Sequence, residues 1–292
     1  MRIPFVKMHG CGNDFVLIDE YKSPAISEKM RSGFAKQVCD RHRSIGADGA
    51  IYLRTTKKDT ALAARFFMPD GSESEMCGNG ARCVAAYAVY DEITPLGREI
   101  TITTMSRTLK ARVISRRRNL FMVQVSLGCP KLAPREIPMR ANGHSFINKR
   151  IHVPDYGAVE ITAVNTGVPH AVIFVDNIED LDVERLGRAV RSMRKIFPCG
   201  TNVDFAKFDG MLSVRTYERG VENETLSCGT GVAASTVAAF LTGRVSANRP
   251  VRVLTRAGYL DVTVAVEGRR IQTILLKGPA EVAFLGEIDF YA

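Results

Sequence analysis

Two short stretches place a cysteine in front of Gly-x-Gly: residues 75–83 read EMCGNGARC, and residues 226–234 read LSCGTGVAA. In each, the glycine after the cysteine permits a sharp turn, and the small residues beyond it open a helix. The first turn of a helix carries unpaired N–H groups and the positive end of the peptide dipoles, a ready place for a carboxylate. A thiol at that entrance lies in the same field, which favours its thiolate. Each stretch therefore joins an anion cradle to a potential base. One copy alone would read as packing, because cysteine is commonly a small buried apolar residue and a lone G-x-G says little. Two copies, one in each half, change that. If the halves face each other, two helix N-termini converge on one anion, with a sulfur on either side of its α-carbon. Inverting a stereocentre asks for this arrangement: a proton leaves one face and another arrives on the opposite one. A thiolate and a thiol can do so without a cofactor. The converged N–H groups would stabilise the charge that develops as the α-proton leaves.

The elements that must position these cysteines are mostly short strands. Phe15–Ile18, Ala50–Leu53, Val159–Val164 and Ala171–Val175 read as strands, as do the alternations in REITITTMS, KARVISRR and FMVQVSL. Helical spacing predicts helices over Ser27–Asp40 (Met30, Phe34 and Val38 on one face), Ala81–Tyr90 and Val232–Leu241, the last ended by Gly243. Another starts near Asp182, with Val183, Leu186, Val190 and Met193 in step. The mixture is α+β and not an alternating βαβ array. Gly128, Pro130 and Pro134 break the pattern after MVQVSLGCP and mark a boundary. Glu73/Glu224, Cys77/Cys228, Gly78/Gly229 and Gly80/Gly231 match across it, which suggests a duplicated unit.

Composition narrows the remaining classes. The 292 residues are 46% hydrophobic and 24% charged, enough for one large domain or two ordinary ones. No apolar run approaches the roughly 20 residues of a membrane span, and MRIPFVKMHG lacks a signal-peptide stretch, so a cytoplasmic protein with no membrane partner is expected. Seven cysteines without a framework pattern read as reduced thiols. No C-x-x-C pair exists and the five histidines do not cluster with the cysteines, so no metal site is expected. The net charge of +9 concentrates at Arg116–Arg118, read as a turn, and at Arg191, Arg194 and Lys195 on a helix. No aromatics interleave with these groups and no nucleic-acid-binding signature appears, so a solvated basic face is expected and no nucleic acid.

KMHGCGNDFVLID, DRHRSIGADG, DGSESEMCGNGARC, NTGVPHAV, TNVDF and YERGVENETLSCGTG follow one another in that order. Together they closely resemble the diaminopimelate epimerase family, pyridoxal-independent enzymes of lysine biosynthesis, from Lys7 to the KGPAEVAF stretch at 277–284. The resemblance implies two pseudo-symmetric halves, each a curved mixed or antiparallel sheet around a central helix, with the active site in the cleft between them. The halves would be 1–122 with 274–292, and 123–273. It implies Cys77 and Cys228 as the acid/base pair, with His170 and Glu218 tuning their ionisation. Gly78, Asn79, Gly229 and Thr230 would bind the α-carboxylate. Asn13, Asn202, Glu218 and Arg219 would hold the distal amino-acid group. No cofactor, a small amino-acid substrate and a homodimer are implied as well. Read without the family, Asn13 and Asn202 are turn residues, His170 a buried histidine and Glu218–Arg219 a surface ion pair. Met68 and Val168 stand where family members usually carry asparagine, and Gly49 where some carry glutamine. Two readings compete: a racemase of another amino acid on the same scaffold, and a non-catalytic binding protein whose cysteines are packing residues. Proline-racemase relatives carry histidine after the first Cys-Gly, where this chain has Asn79.

Overall fold

The computed structural model describes residues 1–20, 26–55, 61–75 and 77–290. The chain divides into two compact units, residues 1–125 with 277–292, and residues 126–276.

The first unit begins with the antiparallel pair β1 (Arg2–Gly10) and β2 (Asn13–Asp19). Helix α1 (Arg31–Cys39) crosses to β3 (Gly49–Thr55), which lies parallel to β2. Then β4 (Ala61–Phe67) folds back on β3, and the short β5 (Glu73–Ser74) on β4. Helix α2 (Gly78–Tyr90) carries the chain to β6 (Glu99–Thr103), parallel to β4, followed by β7 (Thr108–Arg117) and β8 (Leu120–Ser126).

In the second unit β9 (Lys149–Val153), β10 (Gly157–Asn165) and β11 (Pro169–Phe174) form an antiparallel run. Helix α3 (Val183–Arg191) crosses to β12 (Asn202–Phe208), parallel to β11. Next come β13 (Leu212–Glu218) and β14 (Asn223–Thr225), then α4 (Gly229–Leu241), β15 (Val251–Thr255) parallel to β13, and β16 (Gly258–Glu267). The last strand, β17 (Arg270–Asp289), starts in this unit and ends in the first, where it pairs with β1.

Both units thus repeat one order: hairpin, helix crossover, antiparallel strand, short strand, second helix, parallel strand, hairpin. The fold is α+β, and each unit is a mixed sheet built around a helix. Residues 79–89 of α2 and 229–239 of α4 are all buried, so each helix is surrounded on every side. A helix buried all round needs no polar stripe, and the alanine, glycine and cysteine of these segments let strands approach closely. The crossover helices α1 and α3 instead bury one face. Phe34, Ala35 and Val38 of α1 join one core, and Val183, Leu186 and Val190 of α3 another.

Four expectations shift, the first being that α3 ends at Arg191, so Met193, Arg194 and Lys195 lie beyond the helix. The predicted helix over Ser27–Asp40 becomes a 3₁₀ turn at Glu28–Met30 followed by α1. Arg31, at the junction, is fully buried because its guanidinium pairs with Glu20 at 2.7 Å and lies over the Tyr52 ring. The central helices start at Gly78 and Gly229, earlier than apolar spacing indicates, because the cysteine itself occupies the N-cap. Of the arginine triplet only Arg118, at φ 55°, belongs to the turn, while Arg116 sits on β7 over the Phe121 ring.

Candidate active site

Cys77 caps α2 from an extended conformation, φ −134° and ψ 117°, and its Sγ accepts from Gly80 N–H at 3.3 Å. The same sulfur faces Asn13 Oδ1 at 3.8 Å. Asn79 donates from Nδ2 to Asn13 Oδ1 at 3.1 Å, and Asn79 Oδ1 accepts from Arg82 Nη2 at 2.8 Å. Arg82 is fully buried on the next turn of α2 and also donates to the Pro279 carbonyl at 3.2 Å. Behind Asn13, its Nδ2 donates to Asp48 at 2.9 Å, and Asp48 pairs with Arg41 at 2.7 Å. Arg41 also holds Asp14, which Lys7 contacts at 2.7 Å. Burial raises the Asp14 carboxyl, but the hydrogen bonds and charges of Arg41 and Lys7 outweigh it and bring it down to about 2. Asn13, Cys77, Gly78 and Asn79 are therefore assembled in one unit over an ion-paired base.

Cys228 caps α4 in the other unit, with Thr230 Oγ1 3.4 Å from its sulfur. The Thr230 carbonyl is fixed by Thr166 Oγ1 at 2.9 Å. Glu218, at the end of β13, hydrogen-bonds the Cys228 thiol and accepts from Thr225 Oγ1 at 3.0 Å. Asn202 is buried at the start of β12, and its Oδ1 accepts from the Arg219 backbone N–H at 2.8 Å. Its Nδ2 lies 3.5 Å from His170 Nε2. On the far side of the ring, His170 Nδ1 meets Asp204 Oδ2 at 2.7 Å, and Thr216 Oγ1 donates to Asp204 Oδ1 at 2.7 Å. The Arg219 guanidinium donates to the Cys199 carbonyl at 3.2 Å. His170, Asn202, Glu218, Arg219, Cys228, Gly229 and Thr230 thus gather around one helix entrance.

The electrostatics correct one sequence expectation. A thiol at a helix N-terminus was expected to be acidified, yet the Cys228 thiol is held well above its ordinary value. Burial is the largest cause, and the neighbouring charges of Glu218 and Asp204 add to it. Thr230 and the Gly231 N–H pull the other way without prevailing. Burial likewise raises the Glu218 carboxyl, against Thr225 and His170. Glu218 and Arg219 do not form a surface pair: the carboxyl turns to Cys228 and Thr225, the guanidinium to Cys199.

Strand register lets equivalent positions of the two units be compared one by one. Gly49 partners Phe15 where Asn202 partners His170, and Ile51 partners Phe66 where Asp204 partners Thr216. One residue past Phe67 comes Met68, and one past Tyr217 comes Glu218, with Phe67 and Tyr217 paired to Glu73 and Glu224. Around one central helix the equivalent positions read Phe, Gly, Ile, Phe, Met; around the other His, Asn, Asp, Thr, Glu. A common backbone plan carries apolar residues and glycine in one unit and polar or ionisable residues in the other. Met68 opens the turn that closes on Ser72, Val168 lies in the loop between β10 and β11, and Gly49 is pressed against the Phe67 carbonyl, 2.8 Å from where a Cβ would stand.

Sequence reasoning missed Asp48, Arg82, Asp204 and Thr216. A signal existed for Asp204. Asn202 and Asp204 alternate with Val203 and Phe205 on a strand buried on both faces, and a second polar residue on the inward face of such a strand needs a partner.

The arrangement can be set beside known proteins. A probable proline racemase from Agrobacterium radiobacter superposes with a TM-score of 0.72 at 13% identity, covering 99% of this chain and 93% of that one, which is a likeness of fold. The family model for diaminopimelate epimerase matches residues 5–133 and 162–283. The diaminopimelate epimerase of Methanocella arvoryzae is 43% identical, over 99% of this chain and 97% of that protein. That of Archaeoglobus fulgidus is 41% identical, over 98% and 96%. The chain belongs to the diaminopimelate epimerase family, and with it to the isomerases.

Proposed function

We propose that the protein epimerises L,L-diaminopimelate to meso-diaminopimelate by a cofactor-independent two-base mechanism, serving lysine biosynthesis. Cys77 and Cys228 are the proton carriers: one takes the α-proton as thiolate, the other returns a proton from its thiol, and the roles exchange with substrate hand. The observation that carries this reading is the N-cap position of both cysteines, each on a buried helix whose first-turn N–H groups can stabilise a developing enolate. Gly78, Asn79, Gly229 and Thr230 hold the α-carboxylate. His170 and Glu218 tune the ionisation of the two thiols. Asn13, Asn202, Glu218 and Arg219 receive the distal amino and carboxyl groups.

Support for the distal assignment is that Asn202 and Arg219 are already tied together through the Arg219 N–H, and that Asn13 is fixed by Asn79 and Asp48. On the same reading the enzyme is a cytoplasmic homodimer with a small amino-acid substrate. No helix of the described residues is long and apolar enough to cross a membrane, and Phe284 and Leu285 offer exposed apolar surface on β17.

The test is incubation with L,L-diaminopimelate in D₂O. Loss of the α-proton with appearance of meso product is expected, and Cys77→Ala and Cys228→Ala should each abolish both while leaving the circular dichroism unchanged. A single variant that turns over in both directions at a near-normal rate would end the two-base reading. A higher kcat/KM for lysine or proline than for L,L-diaminopimelate would shift the choice to a racemase of another amino acid.

A further inference from the structure

A fully buried carboxylate of the second unit takes no direct part in that scheme. Asp204 is fully buried on β12, as is His170 beside it on β11, and Thr216 on β13 is buried too. Its two carboxylate oxygens are divided between two partners, Oδ2 to His170 Nδ1 at 2.7 Å and Oδ1 to Thr216 Oγ1 at 2.7 Å. The carboxylate also rests on the first turn of α4. A Cβ at Gly231 would stand 2.2 Å from Asp204 Oδ1 and 2.9 Å from Thr216 Oγ1, so the second glycine of the Cys-Gly-Thr-Gly turn is the residue that admits this pair. In the other unit, Gly80 admits the Phe66 ring instead.

The hydrogen positions follow from one donor that cannot be reversed. The Arg219 backbone N–H donates to Asn202 Oδ1, so the Asn202 amide must turn its NH₂ toward His170. An NH₂ facing Nε2 at 3.5 Å requires a lone pair there. The ring hydrogen is then on Nδ1, where Asp204 accepts it. Backbone amide, Asn202, His170 and Asp204 form a single directed chain, with Thr216 closing the end.

We propose that Asp204 is a positioning residue for the reaction: with Thr216 it holds the Nδ1–H of His170 and so fixes the ring with Nε2 turned toward Asn202. This rests on the epimerase reading for its catalytic consequence, but not for the tautomer. Glu218 from β13 and Cys228 from the α4 entrance are ionisable groups of the same unit. Both respond to the charge of Asp204. A ring free to carry its hydrogen on Nε2 would oppose Asn202 donor to donor and release the Arg219 end of the chain.

The full chain labelled with ¹⁵N-histidine decides the matter, with His170→Gln used to assign the signal. Wild-type His170 is expected to show a protonated Nδ1 and a bare Nε2 at neutral pH. In Asp204→Leu the Nδ1 hydrogen should no longer be held, and kcat for L,L-diaminopimelate should fall on the order of 10- to 100-fold, as for loss of an outer partner, with KM little changed. Thr216→Val should move both readouts in the same direction by less, and Thr216→Ser should restore them. If Asp204→Leu does not fold, the Thr216 pair still decides. A wild-type ring protonated on Nε2, or variants with unaltered ring signals and kcat, would overturn the proposal. A wild-type protein that fails to exchange the α-proton would remove the epimerase reading, while the ring signature would still report on the tautomer.

Discussion

Asn79 donates from Nδ2 to Asn13 Oδ1 at 3.1 Å, joining the turn after the first cysteine to the start of β2. Asn13 Oδ1 also faces Cys77 Sγ, and Asn13 Nδ2 is committed to Asp48. The amide cannot rotate without losing all three contacts. Asn13→Leu keeps the volume and removes them. Two lost hydrogen bonds of about 1 kcal/mol each predict a fall in kcat/KM of roughly 10- to 100-fold. A variant within twofold of wild type would show that these contacts are incidental.

The second prediction concerns the two thiols' neighbours. Exposed Cys129 and Cys199 would dominate any alkylation, so both are first changed to serine. In that background Cys228 should react slowly with iodoacetamide at neutral pH, because burial and the charges of Glu218 and Asp204 keep its thiol protonated. Glu218→Gln removes one of those charges, and the onset of Cys228 alkylation should move to lower pH. Peptide mass spectrometry against pH reads this. An unchanged onset would mean that burial alone sets the thiol.

Acid stability gives the third. Asp14 is lowered to about 2 in the folded protein, and its side chain is only 17% exposed. A depressed carboxyl stabilises the fold above its unfolded value, near 4, and that contribution is lost as pH falls through the folded value. The window is therefore roughly pH 4 to 2, and the amount about 2 kcal/mol. Denaturant midpoints for wild type and Asp14→Asn should diverge above this window and converge below it. Parallel curves across the window would contradict the assignment.

The fourth tests the paired arginines. Arg215 grips Glu224 with Nε and Nη2, both at 2.7 Å, and its Nη1 donates to the carbonyls of Ile178, Glu179 and Leu181. Arg65 grips Glu73 in the same way, but is 32% exposed against 10% for Arg215. Arg215→Ala leaves Glu224 to Arg256, which holds it at 2.7 Å, and deprives three carbonyls of this donor, predicting a loss of about 2–3 kcal/mol. Arg65→Ala should cost less. Equal shifts in unfolding midpoint would refute the ranking.

The sequence made the cysteine turns visible because their chemistry is local: a cysteine, a turning glycine and a run of small residues lie within one helical turn. The α+β mixture was visible for a similar reason, since alternation in β6, β7 and β8 needs no knowledge of partners. Asp204 was not visible, because its meaning depends on register with Thr216 on β13 and on the approach of α4 at Gly231. Asp48 was hidden in the same way, since its partners Asn13 and Arg41 come from separate elements. The very short strands β5 and β14 carry too few residues for any periodicity, yet they place Glu73 and Glu224 under their arginines.

The path of β17 bears on how the chain is made. Arg2 pairs with Asp289 and Lys7 with Phe284, so β1 is partnered by a strand that is synthesised much later. All of residues 126–276 are synthesised in between. At about 5–20 residues per second, β1 waits for tens of seconds with one edge open. The inserted unit has its own strands and central helix by then. Birth order and completion order are thus reversed: the unit begun earlier is completed later, and β1 must be kept from wrong partners in the interval.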